Sequence, residues 1–204
     1  PEDYRLVGID ASGLELRMLA HYLNDEGYTN EILNGDIHTA NQNLAGLESR
    51  DQAKTFIYAL LYGAGDAKLG SVVGRGRAHG KGLRQRFFDG LPSFKNLTDR
   101  VQGEAKSGFL KALDGRRLTV RSEHAALNTL LQGAGAIVMK KALVILNDKI
   151  IKHGWDAKFV ANVHDEWQIE CHLDDAVDVG NAGVHAIKEA GCMLNLNCPL
   201  DGDY

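Results

Sequence analysis

The stretch Arg50-Asp-Gln-Ala-Lys54-Thr-Phe-Ile-Tyr58-Ala-Leu-Leu-Tyr62-Gly63 runs thirteen residues without Gly or Pro before Gly63 and Gly65 stop it, which predicts a helix. Arg50, Lys54, Tyr58 and Tyr62 recur every four residues. At about 100° per residue each step of four drifts by about 40°, so the four side chains share an arc of about 120°. Ala53, Phe56, Ile57 and Leu60 fall on another face, the one expected to pack on a core. The first face offers two cations followed by two phenols, which suits a polyphosphate at one end and a sugar and base at the other. The same spacing also describes a plain surface helix whose long side chains lie along it with their heads in water.

On the N-terminal side of this helix, Arg5-Leu-Val-Gly-Ile9 reads as a short buried strand ending at Asp10. Ser12-Gly-Leu-Glu15-Leu-Arg17-Met-Leu-Ala-His-Tyr-Leu23 then has helical periodicity, and Ser12 with Glu15 three residues later matches a capping box. A carboxylate at a strand end beside a helix start, as Asp10 would be, is well placed for a metal. Asp36-Ile37-His38-Thr39 begins a further helical run up to Leu47. His38 alone reads as a cap or a packed side chain.

On the C-terminal side, Val73-Gly-Arg-Gly-Arg-Ala-His-Gly-Lys-Gly82 fits neither G-x-x-x-x-G-K-[ST] nor G-x-G-x-x-G in a strand-to-helix context. It is expected to be a flexible basic turn between helices. Leu83 to Phe88 and Ser93 to Ala105 look helical, with Pro92 as the break. Asp114-Gly115 before the alternating run up to Arg121 is a hairpin signal. Ala125 to Ile151 is a long helical stretch, expected to soften near Gly133 and Gly135, and His124, Asn128 and Gln132 share a four-residue spacing there. In Lys158 to Cys171 two alternating β-prone runs flank His164-Asp165-Glu166, a hairpin with acids at or near its turn. An exposed acidic turn is the plain alternative. Asp174 to Ala190 reads as a helix of small residues, and Leu194 to Leu200 as a strand.

With 204 residues the chain can bury a real core in one domain or two small ones. Charged residues at 25% and apolar residues at 44% are ordinary for a globular protein. No apolar run approaches the ~20 residues of a bilayer span, and no signal peptide opens the chain. Cys171, Cys192 and Cys198 are odd in number and lack a C-x-x-C, so neither a disulfide framework nor a zinc site is indicated and reduced thiols are expected. A net charge of −4 does not advertise a nucleic-acid binder, but local patches make such footprints. The basic residues cluster in Arg75 to Arg86 and at Arg116, Arg117 and Arg121. The sequence opens close to a strand and stops at Asp-Gly-Asp-Tyr, so a fragment is expected.

Taken together these pieces resemble the family A (Pol I-like) DNA polymerases, and among them the replicative polymerases of short-tailed (podovirus) phages. Asp10-Ala-Ser-Gly-Leu-Glu15-Leu-Arg17 looks like that family's motif A, D-x-S-x-[IL]-E-L-R. Arg50-x3-Lys54-x3-Tyr58-x3-Tyr62-Gly63 looks like motif B, and Val163-His164-Asp165-Glu166 looks like motif C. Leu113-Asp-Gly-Arg-Arg-Leu and Asn128-Thr-Leu-Leu-Gln132-Gly resemble the segments that precede motif C.

The resemblance implies an α+β fold, with a polymerase palm of antiparallel sheet and packed helices plus mostly helical fingers. The palm would comprise residues 1–25 and 113–204 and the fingers 26–112, with the thumb and any exonuclease domain outside this chain. It implies a cofactor of two Mg²⁺ ions held by Asp10, Asp165, the backbone carbonyl of Ala11 and, as an accessory, Glu166. Arg50, Lys54 and His38 would grip the β/γ-phosphates of a dNTP, Lys54 also protonating the departing pyrophosphate. Tyr58 would stack on the incoming base and sugar, and Glu15, hydrogen-bonded to Tyr62, would close the sugar pocket against a 2′-hydroxyl. Asn128, Gln132 and His164 would read minor-groove acceptors of primer-template DNA, with His124 as a further DNA contact where bacterial members often have arginine. A processivity factor would bind outside this fragment, no membrane is implied, and a phage protein of this kind would act in the bacterial host cytoplasm. A two-metal nuclease would use the acids but leave the Arg50–Tyr62 face idle, and the D-x-E of the usual proofreading site is missing. A non-catalytic DNA-binding module is the third reading.

Overall fold

The computed structural model describes residues 2–204. In chain order the elements are β1 (Tyr4–Ala11), α1 (Leu14–Leu23), α2 (Glu26–Asn34), α3 (Ile37–Ala45), α4 (Arg50–Leu61), α5 (Asp66–Ser71), α6 (Arg77–Gly90) and α7 (Pro92–Ala105). They continue with β2 (Phe109–Lys111), β3 (Arg117–Thr119), a 3-10 turn (Glu123–Ala125), α8 (Ala126–His153), β4 (Ala157–Val163), β5 (Glu166–His172), α9 (Ala176–Met193) and β6 (Gly202–Asp203). The fold is α+β. The chain divides into two compact units, a sheet unit of residues 1–21 and 132–204 and a helical unit of residues 22–131.

The sheet unit is built on four antiparallel strands in the order β4-β5-β1-β6. Alternation decides its two faces. Val7, Ile9 and Ala11 of β1 and Trp167, Ile169 and Cys171 of β5 are buried, whereas Leu6, Gly8 and Asp10 and then Glu166, Gln168 and Glu170 turn the other way. Helix α9 covers the buried face. It comes close because a Cβ on Gly183 would stand 2.3 Å from Ile9 Cδ1, a space only glycine leaves free. The edge strand β4 has a register shift between Phe159 and Ala161, leaving Val160 exposed, and places Lys158 nearby. Both devices discourage edge-to-edge pairing.

The helical unit is centred on Phe56, Phe87 and Phe94, whose rings meet edge-on at 5.8 Å and 5.3 Å. Helix α4 starts where Ser49 accepts from Gln52 N at 3.2 Å, and it buries Ala53, Phe56, Ile57 and Leu60 as its periodicity predicts, with Leu61. Helices α5 and α6 cross at backbone contact. A Cβ on Gly80 would stand 1.9 Å from Asp66 O and 2.5 Å from Gly70 N, and the Arg84 to Asp66 ion pair at 2.9 Å spans the same crossing.

Three expectations are corrected and one, at Pro92, is met. Arg77 to Gly82 is the first part of α6 and not a flexible turn, because Gly80 is what admits the α5 crossing. The break expected at Pro92 is found, Pro92 opening α7 at a position whose amide needs no partner. Helix α8 runs unbroken through Gly133 and Gly135, and α1 fits against it there, Leu14 Cδ2 lying 3.3 Å from where a Gly135 Cβ would be. Residues 194–200 form no strand; the strand lies at Gly202–Asp203. The apolar content of α8 is also greater than expected. Glu123–His153 is long and apolar enough to cross a bilayer, with mean hydropathy 1.5 over its best window. Such a helix equally serves a core, and Val138, Ala142 and Leu146 on it are fully buried.

Candidate active site

In the sheet unit, register gathers the acids. Asp10 at the end of β1 is the direct cross-strand partner of Glu166 on β5 and of Asp203 on β6. Opposed residues project from the same face, so these three carboxylates share one end of the sheet. Asp165 joins them from the two-residue turn between Val163 and Glu166, with its carbonyl accepting from Ala11 N at 2.9 Å. His164, beside it, has φ +54°, a strained conformation for a residue with a side chain. Burial, and then the charges of Asp165, Glu166 and Asp203, push the Asp10 carboxyl above its ordinary value. Gln168 Nε2 donates to Glu166 Oε1, and the Ser12 hydroxyl donates to Asp203 Oδ2 at 3.2 Å.

Ser12 does not make the expected capping box. Helix α1 begins at Leu14, so Ser12 stands one residue too early and Glu15 is in the first turn. The strand-to-helix turn is tied instead by Arg17, whose Nε donates to Ser12 O at 2.8 Å and whose other nitrogen donates to Pro199 O. Glu15 is half-buried and its Oε1 is shielded from solvent.

The four acids are hard oxygen donors, and the repulsion among them at Asp10 is what a divalent cation would relieve, so the residues fit an ion such as Mg²⁺. Asp10, Glu166 and Asp203 adjoin as cross-strand neighbours, and Asp165 stands in the turn beside them. Among the described residues no three His, Cys, Asp or Glu side chains close on a single point.

In the helical unit, α4 turns Arg50, Lys54, Tyr58 and Tyr62 away from its buried side. Arg50 and Lys54 are exposed, Tyr58 is half-buried, and Tyr62 caps the helix with its ring about half exposed. The Tyr58 and Tyr62 rings lie 6.4 Å apart, and the His38 ring on α3 lies 6.3 Å from Tyr58. The structure therefore brings His38 to the stripe, which spacing could not do. Asp36, the N-cap of α3, accepts from Arg50 Nε at 2.6 Å and from a second guanidinium nitrogen at 3.2 Å, as well as from Thr39 Oγ1 and His38 N. The bond from Arg50, and next that from Thr39, hold the Asp36 carboxyl well below the usual carboxylate range. Burial, then the cations Arg50 and Lys54, hold His38 below its ordinary value against the opposing pull of Asp36.

Of the remaining sequence candidates, Asn128 lies in the first turn of α8 and Gln132 four residues on, Gln132 exposed and Asn128 with a buried Oδ1 lacking a hydrogen-bond partner among the described residues. His124 does not share their helix. It is exposed in the 3-10 turn before α8, where Ser122 caps the turn by accepting from Ala125 N. Two acids escaped sequence reasoning. Asp203 lies in a two-residue strand too short for any periodicity, and only its pairing with Asp10 reveals it. Asp36 reads as an ordinary helix cap, which it is, and its hold on Arg50 spans fourteen residues.

The model for DNA polymerase family A matches residues 1–204, and the chain belongs to that family. It is 46% identical over 96% of its length to the DNA-directed DNA polymerase of Enterobacteria phage T3, and equally to that of Escherichia phage T7, covering 31% of each. The corresponding enzyme of Escherichia phage Phieco32 is 43% identical over 97% of the chain, which covers 38% of it. The chain thus spans about a third of the length of these curated relatives. Its fold is that of the polymerase domain of Pol1 from M. smegmatis, solved with DNA primer-template and dNTP, at a TM-score of 0.89 and 23% identity, over 100% of this chain and 39% of that one.

Proposed function

We propose that the protein to which this chain belongs performs template-directed DNA synthesis, transferring a nucleotide from a dNTP to a primer 3′-hydroxyl in phage DNA replication. The single observation that supports this best is the placement of Asp10, Glu166 and Asp203 side by side across the strands, with Asp165 in the adjoining turn, at one end of the sheet. The cation-and-phenol stripe of α4 and membership of the polymerase family add to it. In this reading the palm is residues 1–25 and 113–204 and the fingers are 26–112, bounds from which the compact units depart only at residues 22–25 and 113–131.

Phosphoryl transfer needs little covalent help and much charge neutralisation. Asp10, Asp165 and the Ala11 carbonyl would hold two Mg²⁺ ions, with Glu166 accessory; when bound, these lower the pKa of the attacking hydroxyl and neutralise charge on the phosphates. Arg50 and Lys54 bind the β- and γ-phosphates, with His38 as a third donor. Arg50 is preset by Asp36 and exchanges that carboxylate for phosphate when a nucleotide arrives. Lys54 Nζ gives a proton to the departing pyrophosphate. Tyr58 supports the incoming base and sugar, and Tyr62 borders the same nucleotide. Glu15 excludes a 2′-hydroxyl. Asn128, Gln132 and His164, with His124 beyond them, contact acceptors common to all base pairs, so they sense pair shape rather than sequence. The partners are primer-template DNA and a dNTP, with a processivity factor bound outside this chain, and the place of action is the host cytoplasm.

Two measurements on the intact polymerase test the assignment of sugar recognition. Glu15→Ala is expected to raise ribonucleotide incorporation relative to deoxyribonucleotide by roughly tenfold or more, about 1.4 kcal/mol of lost discrimination. Unchanged sugar selectivity removes Glu15 from the site. Tyr58→Phe is expected to lower dideoxynucleotide incorporation relative to dNTP by a similar factor, and equal use of the terminator by both forms would count against a contact between Tyr58 and the sugar.

A further inference from the structure

On the open face of the sheet Gln168 stands between two small cross-strand partners, Gly8 on β1 and Ala161 on β4. Its half-buried side chain turns along its own strand, and Nε2 donates to Oε1 of Glu166, two residues back and on the same face. The slot that it uses exists because residue 8 is glycine. A Cβ there would stand 2.9 Å from Gln168 Nε2 and 3.5 Å from Glu166 Oε1, so both side-chain ends lie over Gly8. Gly8 precedes Asp10 by two residues, about 7 Å along the strand. Glu166, although the cross-strand partner of Asp10, thus carries Oε1 over the neighbouring Gly8–Gln168 pair. This hold agrees with the absence, among the described residues, of any point on which three acidic side chains close.

We propose that Gln168 is a positioning residue, whose amide draws the Glu166 carboxylate back over Gly8 and keeps it from joining Asp10 and Asp165 as a full metal ligand. The bond acts in two ways. It fixes the direction of the Glu166 side chain, and it takes up a lone pair on the oxygen while stabilising its charge, which leaves a weaker donor for a cation. Affinity for a divalent ion rises with the number of charged ligands, so a third carboxylate closing on Asp10 and Asp165 would tighten binding. Its charge would also stand against the triphosphate of an incoming nucleotide. Holding Glu166 to one side avoids both effects. This inference rests on the reading of Asp10 and Asp165 as the metal-holding pair of a polymerase, and it gives a physical reason why Glu166 is only accessory to them.

The test uses the intact polymerase without DNA or nucleotide and Mn²⁺ as the probe, the free ion being counted by its electron paramagnetic resonance signal. Q168L keeps the bulk of the side chain and removes the donor. It is expected to tighten Mn²⁺ binding roughly tenfold, the scale of a hydrogen bond to a charged group. G8A leaves Gln168 in the sequence but displaces its amide, and it is expected to tighten binding in the same direction; should Q168L not fold, G8A carries the comparison. E166Q alone is expected to change the dissociation constant by less than about twofold, whereas E166Q/Q168L is expected to return to the wild-type value, a strong coupling that a merely structural glutamine would not show. The Mg²⁺ concentration that gives half-maximal nucleotide addition is expected to fall in Q168L by the same factor as the Mn²⁺ constant. Binding in Q168L equal to or weaker than that of the wild type would overturn the proposal, as would a gain that survives in E166Q/Q168L. Mn²⁺ binding that is unchanged in D10N would refute the metal-holding pair itself, a different result from either.

Discussion

Asp165→Ala in the intact polymerase is expected to slow primer extension by at least about 10³-fold, roughly 4 kcal/mol of transition-state stabilisation, while primer-template affinity stays within a few-fold. The separation follows from how the residue is held. Asp165 is fixed through its backbone carbonyl, which accepts from Ala11 N, and that bond survives truncation of the side chain. Among the described residues the carboxylate itself makes no hydrogen bond or ion pair. It adds negative charge beside Asp10, so its removal relaxes the cluster and leaves the sheet in place. A loss of rate with retained binding and an unchanged melting temperature is therefore the expected pattern. Near-normal extension by the variant would sink the assignment of Asp165 to the chemistry. Loss of binding together with rate would instead point to a role in holding DNA.

Gly80→Ala has the opposite character, a large effect on stability at a position far from any reacting group in the sequence. Intrinsic propensity alone favours alanine in a helix interior by about 1 kcal/mol. The new methyl would stand 1.9 Å from Asp66 O and 2.5 Å from Gly70 N, both backbone atoms that cannot step aside as a side chain can. Helices α5 and α6 must then part, and the Arg84 to Asp66 ion pair across the crossing parts with them. A net destabilisation of about 3 kcal/mol or more is expected, within the range of severe overpacking. Hydrogen exchange in the intact protein reads it locally, as lost protection in residues 66–90. Greater protection in the variant would mean that propensity wins and the helices do not touch at Gly80.

These two residues mark how far the sequence could be read. Asp165 was legible because the β-prone runs around it announce a hairpin and because the Val-His-Asp-Glu string matches a known motif. The stripe of α4 was legible for a similar reason, since both its buried and its exposed faces follow from a period of 3.6. Gly80 was opaque. A run of Gly and Arg looks the same in a loop and in a helix whose neighbour must come close, and the difference lies in the tertiary partner. Asp203 and Asp36 were opaque because each matters through a single long-range pairing, to Asp10 and to Arg50, which no local pattern encodes. His124 was misplaced by one element because four-residue spacing continues smoothly from a 3-10 turn into a helix.

The two faces of β1 and β5 bear on folding as well as on chemistry. Strands that offer Val7, Ile9, Trp167 and Ile169 to one side and Asp10, Glu166 and Gln168 to the other have one tolerable alignment. Sliding β5 by a single residue would send Trp167 into water and press Glu166 against α9, and an unpaired buried carboxylate is among the costliest errors a fold can make. The acids proposed for the reaction would thus also reject misregistered chains during assembly. In that reading selection on catalysis and selection against misfolding would act on the same side chains, so variants that neutralise Asp10 or Glu166 to probe activity should also be checked for a second, slipped population.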